Sequence, residues 1–303
     1  MANDKDWWDG LAARYGREVV ENARRLRPHD FRYLAEWRDT LDPEYTRVWL
    51  DFTFGGLLAR RVLDDRTRYL VTIAQFTVMG ELEELDGEIR GAIANGVDPQ
   101  EILEAIIQTS VYCGHPRTNR AGKLFTEIAA ELGLLDKLAK NPPPIKERDA
   151  ARDLEKERAD WVVTEKDFPR REELLKKYGW RGISTGLRVQ QQQHADAVDR
   201  LDKTSPSFLQ LWLDFIYEGL YSRGVLDDRT RILLMVGNCV ALRETVQTEH
   251  HMKGAMRNGA TPKEVLEVLL QSTQHVGMVG TLNTFRILQK VLAEQGLSDE
   301  LKE

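Results

Sequence analysis

The chain has 303 residues, 42% of them apolar, and a formal net charge of −6. A length of this order suits two ordinary domains, and an acidic chain argues against nonspecific nucleic-acid binding, which needs a basic face. No apolar run approaches the ~18–20 residues of a membrane span, and the start, MANDKDWWDG, has no signal-peptide core; with only Cys113 and Cys239, at unrelated positions, a cytoplasmic protein with reduced thiols is expected.

In chain order, Trp7 and Trp8 form an aromatic pair that serves as a subunit contact, a pocket lid or a docked N-terminus. A helix is expected around Trp49, with Trp49 in the core. Asp64–Asp65 cap a helix running on from Arg66. The next helix ends at Asn95–Gly96, a C-terminal cap signal. Asp98–Pro99 then reads as an N-cap followed by proline at the first helical position. The run after it has helical periodicity and ends at Gly114, and a last helix is expected near 118–133. Strand signals are scarce throughout.

The same order then returns. Trp49 to Arg68, ending VLDDRTR, recurs as Trp212 to Arg231, again ending VLDDRTR, at a constant offset of 163 positions. The offset holds without a gap through Gly91/Gly254, Asn95/Asn258, Pro99/Pro262, Gln108/Gln271 and Gly114/Gly277, and reaches back to Tyr15/Tyr178. The fold class expected is therefore all-α, as two tandem copies of one helical domain. Residues 1–140 form the first copy, 141–166 a linker and 167–303 the second. The linker joins Asn141-Pro142-Pro143-Pro144, a stiff spacer, to a dense charge run that suits a solvated helix.

The shared elements are the DDRTR start, the RGA or KGA turn before Asn-Gly, the Asp/Thr-Pro helix start and the Gln-x5-Gly ending. On these the chain resembles the carboxymuconolactone decarboxylase family of the alkyl hydroperoxidase D-like superfamily. That resemblance implies an all-α fold that oligomerises as trimers or hexamers of single domains, so that a trimer of two-domain chains is the homo-oligomer expected here. It also implies two chemistries. The peroxidase branch carries Cys-x-x-Cys on the helix before Asn-Gly, where this chain has Glu81 and Glu84 in one copy and Glu244 and Gln247 in the other. A dithiol relay is therefore not expected. The decarboxylase branch carries Glu-x3-His, which here reads Glu84-x3-Glu88 and Gln247-x3-His251.

Residues three or four apart share a helical face, so Glu81, Glu84 and Glu88 form one stripe and Glu244, Gln247 and His251 the matching one. Histidine titrates near neutrality and can pass a proton to the carbanion left by decarboxylation. His251 is accordingly the expected proton donor or base, with Gln247 orienting it or the substrate, and the first copy is expected to have lost its site. Arg229 is a candidate clamp for a substrate carboxylate, with Arg66 its counterpart, although a structural salt bridge is the plainer reading for both. His275 and Glu244 are candidates to line the same pocket. Cys113 reads as packing. The expected activity is a cofactor-independent lyase acting on a small carboxylated lactone or ring-cleavage metabolite, with no metal, nucleic acid or membrane partner. A non-catalytic oligomeric binding or scaffold protein is a second reading. A metal-dependent or hydrolytic enzyme built on the carboxylate stripe and nearby histidines is a third.

Overall fold

A computed structural model describes residues 4–138 and 152–301. The first copy consists of α1 (Asp4–Tyr15), α2 (Arg17–Leu26), α3 (Phe31–Leu41), α4 (Pro43–Leu50), α5 (Asp65–Met79), α6 (Leu82–Ala94), α7 (Pro99–Gln108), α8 (Ser110–Glu131) and α9 (Leu135–Leu138). The linker segment contains α10 (Leu154–Ala159), and the second copy α11 (Arg171–Tyr178), α12 (Trp180–Gln190), α13 (Gln192–Thr204), α14 (Pro206–Trp212), α15 (Asp228–Leu242), α16 (Thr245–Arg257), α17 (Pro262–Val276) and α18 (Met278–Gln295). The described residues are helical with no strand, so the fold is all-α. None of these helices is long and apolar enough to cross a membrane. The tri-proline segment lies outside the described residues. The charge run beyond it is described from Arg152 and forms the short α10, tied to α12 where the Trp161 indole donates to Ser184 Oγ at 3.2 Å.

The expected caps are present. The Asp64 side chain accepts from Thr67 N, and Asp227 does the same for Thr230 N. Asp98 accepts from Gln100 N, while Thr261 and Glu264 form a reciprocal capping box. Both copies break their chain at the same place, because Gly114 (φ 73°) and Gly277 (φ 78°) adopt the left-handed conformation that a side chain disfavours. Both also carry a widened π-helical turn at matching positions, Asp51–Leu57 and Leu213–Leu220.

The two copies share one core. α5 packs on α15 at the centre, and α17 of the second copy also packs on α5 of the first. Buried polar groups cross this join reciprocally. Arg68 Nη1 donates to Gln271 at 3.1 Å, and Arg231 Nη1 donates to Gln108 at 3.1 Å. Glu104 pairs with Arg223 and Arg231, and Glu267 pairs with Arg60 and more distantly with Arg68. Each of these pairs is the other's image at the 163-residue offset. At the N-terminus Trp8 is buried and stacks on Phe31 at 5.5 Å, with Trp7 edge-on to it. The aromatic pair thus docks α1 onto its own domain.

Candidate active site

A cavity of about 580 Å³ opens in the first copy. Arg27 follows α2, Arg38 lies on α3, and Trp49 closes α4. Phe52, Thr53 and Phe54 come from the widened turn, and Glu81, Glu84 and Glu88 from the start of α6. The last wall comes from the second copy, where His275 ends α17 just before the break at Gly277. The cavity is therefore built between repeats within one chain.

Glu88 is buried, and Arg27 Nη1 donates to its Oε1 at 2.5 Å. Arg27 is also held by Asp30 and, at 3.4 Å, by Glu84. Burial pushes the Glu88 carboxyl above its usual range, against the pull of the Arg27 charge. Arg27 itself stays charged: its acidic neighbours outweigh its burial.

His275 is held in one tautomer. Gln75 Nε2 gives its two hydrogens to Gly237 O at 3.1 Å and Ser272 Oγ at 2.6 Å. Ser272 Oγ in turn donates to Val268 O. Gln75 must therefore present its oxygen, Oε1, to His275 Nδ1 at 2.9 Å, and Nδ1 carries the hydrogen. The opposite nitrogen, Nε2, is left as an acceptor and makes no hydrogen bond among the described residues. Burial, then the Arg27 charge, push the imidazole down to about 3, so it is neutral at ordinary pH.

The second copy has no equivalent arrangement. His251, the counterpart of Glu88, is 3% exposed and does not line this cavity. Its Nε2 meets the hydroxyl of Tyr112 at 3.3 Å, and that hydroxyl also bonds Tyr221. Tyr112 stands where the other site has His275, and Tyr221 where it has Leu58. Two tyrosines thus occupy the space, and burial holds His251 neutral, down to about 4. The cations are gone as well, since Arg27 and Arg38 become Gln190 and Leu201. Gln75 becomes Asn238, whose side-chain atoms are buried without a partner.

The remaining candidates separate. Gln247 accepts from Gln193 Nε2 at 2.7 Å. Glu244 caps α16 through Val246 N and lines a small separate cavity beside Cys239. Arg229 is not a cavity clamp: it is paired with Glu264, as Arg66 is with Glu101, and both brace helix starts. Cys113 Sγ packs 3.3 Å from Thr109 O. Trp49, expected in the core, is half-buried on the cavity wall. His251 meets Tyr112 and His275 meets Gln75, in separate clusters. Among the described residues no group of three or more His, Cys, Asp or Glu is arranged to hold a metal. Sequence reasoning missed Arg27, Arg38 and Gln75. The signal was available, because all three change at the offset where Arg68/Arg231 and Gln108/Gln271 do not.

The model of the carboxymuconolactone decarboxylase family matches residues 43–127 and again 206–290, together more than half of the chain. The chain belongs to the carboxymuconolactone decarboxylase family. Among curated relatives, a 4-carboxymuconolactone decarboxylase of Acinetobacter baylyi is 36% identical over 83 residues, which is 27% of this chain and 62% of that protein. A nitrosuccinic acid decarboxylase of Metarhizium robertsii is 35% identical over 106 residues, covering 33% of this chain and 63% of that protein. The chain thus spans under two thirds of the length of each. An uncharacterised 15.0 kDa protein of Paracoccus denitrificans is 33% identical over 117 residues, 37% of this chain and 84% of that one. A solved structure described as a gamma-carboxymuconolactone decarboxylase subunit of Burkholderia xenovorans aligns with 98% of this chain and 100% of its own, at a TM-score of 0.52 and 19% identity. That likeness concerns the fold.

Proposed function

We propose that the chain is a cofactor-independent carbon–carbon lyase acting on a carboxylated small molecule, and that its reacting groups are those of the first-copy cavity. The observation that carries this is the geometry of one cavity, where a buried carboxyl, Glu88, held by Arg27, lines the same space as an imidazole, His275, whose free nitrogen can only accept. Decarboxylase relatives support the reaction class. His251 is set aside as the proton-transfer group because Tyr112 and Tyr221 occupy the space a substrate would need.

In this reading the substrate supplies its own electron sink, a carbonyl conjugated to the departing carboxylate. Breaking the C–C bond releases CO2 and leaves an electron pair on carbon. Glu88, protonated, gives its proton to that carbon and becomes a carboxylate held by Arg27; water at the cavity mouth restores the proton. His275 Nε2 accepts a hydrogen bond from a substrate O–H and so orients the substrate for the C–C cleavage. A proton transfer such as that from Glu88 contributes typically about 10²–10⁴-fold. CO2 release from a panel of carboxylated lactones and enones should therefore fall by about that factor in Glu88→Gln, fall also in His275→Gln, and stay near normal in His251→Gln. Turnover that survives Glu88→Gln but disappears in His251→Gln would reverse the assignment.

The pH profile has a worked sign. Glu88 must be protonated, so turnover declines as pH rises through its raised value. His275 must be neutral, which holds above about 3, so imidazole contributes no acid limb near neutrality. An ascending limb near pH 6 in kcat/KM would point to a different histidine.

Self-association is part of the same reading. Phe208, Leu211 and Phe215 are exposed on one helix face of the second copy, at the places that match the cavity residues Tyr45, Val48 and Phe52 of the first. We expect light scattering to report a homo-oligomer, with a trimer of two-domain chains favoured. A monomer at micromolar concentration would contradict this.

A further inference from the structure

Arg38 is the cavity's unspent cation. Its guanidinium carbon sits 4.1 Å from the centroid of the Trp49 ring, and Nη1 donates to Leu34 O at 3.1 Å. Among the described residues it has no carboxylate partner, whereas Arg27 has three. Arg68, also on the cavity wall, gives one nitrogen to the join between copies and buries the other two without a hydrogen-bond partner; it is kept in the second copy as Arg231. Arg38 is not kept: Leu201 replaces it where the cavity is closed. A cation held over an indole face and lost together with the cavity is a group that serves the cavity's occupant.

The walls around it are aromatic, with Trp49, Phe52, Phe54 and Phe76 contributing rings. At about 580 Å³ the space lies mid-range for sites that take ligands of drug size, about 300–1,000 Å³. A short aliphatic acid would leave most of it to water and most of those rings unused. Resting on the reading of this cavity as the substrate site, we propose that its occupant is an aryl acid: a flat aromatic body of about two fused rings, lodged among these side chains, with an anionic substituent held by Arg38. The group so held is one that the reaction keeps. Pairing the departing carboxylate with a guanidinium would stabilise the ground state more than the transition state, in which that charge is being dispersed.

Calorimetric titration of the full chain with three probes tests this: 2-naphthoate (ring and charge), 2-naphthylmethanol (ring alone) and succinate (charge alone). The expected result is 2-naphthoate binding at least tenfold tighter than either of the others. Arg38→Met should bring 2-naphthoate to the level of the alcohol without moving the alcohol, and Arg38→Lys should recover part of the difference. Thermal melts by circular dichroism establish that both variants are folded; if Arg38→Met is not, Arg38→Lys against wild type carries the comparison. Succinate binding as tight as 2-naphthoate, a difference below tenfold, or an unchanged affinity in the folded variant would overturn the proposal. Its failure is separable from failure of the lyase reading. A protein that decarboxylates through Glu88 but does not bind 2-naphthoate loses only the aryl-acid assignment; one that binds 2-naphthoate through Arg38, yet keeps full turnover in Glu88→Gln, loses only the proposed catalytic roles.

Discussion

At position 194 the second copy buries an imidazole where the first, at Phe31, buries a benzene ring. The surroundings match: Phe31 stacks on Trp49 and meets Phe54 edge-on, and His194 stacks on Trp212 and meets Tyr217 edge-on. Both nitrogens of His194 are buried without a partner, and burial alone pushes the group down to about 3. Unpartnered buried polar atoms cost about 1–3 kcal/mol, so His194→Phe should stabilise the protein by roughly that amount in urea denaturation at pH 7. The sign with pH is also set. His194, His251 and His275 all have folded values far below the usual 6.5, so the unfolded chain binds protons that the folded one refuses. Stability is full above about pH 6.5 and falls as pH drops toward 4. The loss per histidine approaches ~1.4 kcal/mol per pH unit, and His194→Phe should flatten it by one group. An unchanged acid slope in that variant would contradict the account of His194.

Among the elements, the ends of helices were the most legible in the sequence. Asp-Asp, Asp-Pro, Thr-Pro and Asn-Gly each have a backbone reason, and each marks a boundary where expected. The widened turns at 51–57 and 213–220 were not legible, because nothing in DFTFGGL or LDFIYEGL distinguishes one extra residue per turn from an ordinary helix. Arg66 and Arg68 differ by two places in one motif, and only the packing says that the first pairs with Glu101 at a helix start and reaches Thr230 of the other copy, while the second is buried against Gln271. For the crossing network the second-copy member is the cleaner test. Arg231 is fully buried and donates to both Gln108 and Glu104. Removing one partner of a buried ion pair costs about 3–5 kcal/mol, so Arg231→Met should lose about 3 kcal/mol in chemical denaturation. Lys123→Met, which unpairs only the exposed Glu127, should lose under ~1 kcal/mol. Equal losses would mean that burial does not control the strength of these pairs.

Across the whole molecule, duplication has produced two clusters by exchange, one lining a cavity and one filled by tyrosines. Each joins a residue of one copy's α6 or α16 to a residue near the other copy's glycine break: Glu88 with His275, and His251 with Tyr112. The sequence alone pointed to an asymmetric pair and to the helix on which the difference lies. It favoured His251 because a single helix face was all that could be compared. The partners His275 and Tyr112 lie some 140–190 positions away in the chain, and the arginines come from helices whose likeness to the second copy is weak. The site's location therefore depended on packing that no local pattern encodes. The most direct measurement is the calorimetric stoichiometry of 2-naphthoate, in wild type and in two variants. Leu58→Tyr introduces into the first cavity the side chain that helps fill the second, and His251→Gln alters only the second. The account predicts one site per chain, lost in Leu58→Tyr and retained in His251→Gln. Two sites per chain, or binding that survives Leu58→Tyr and is lost in His251→Gln, would contradict it.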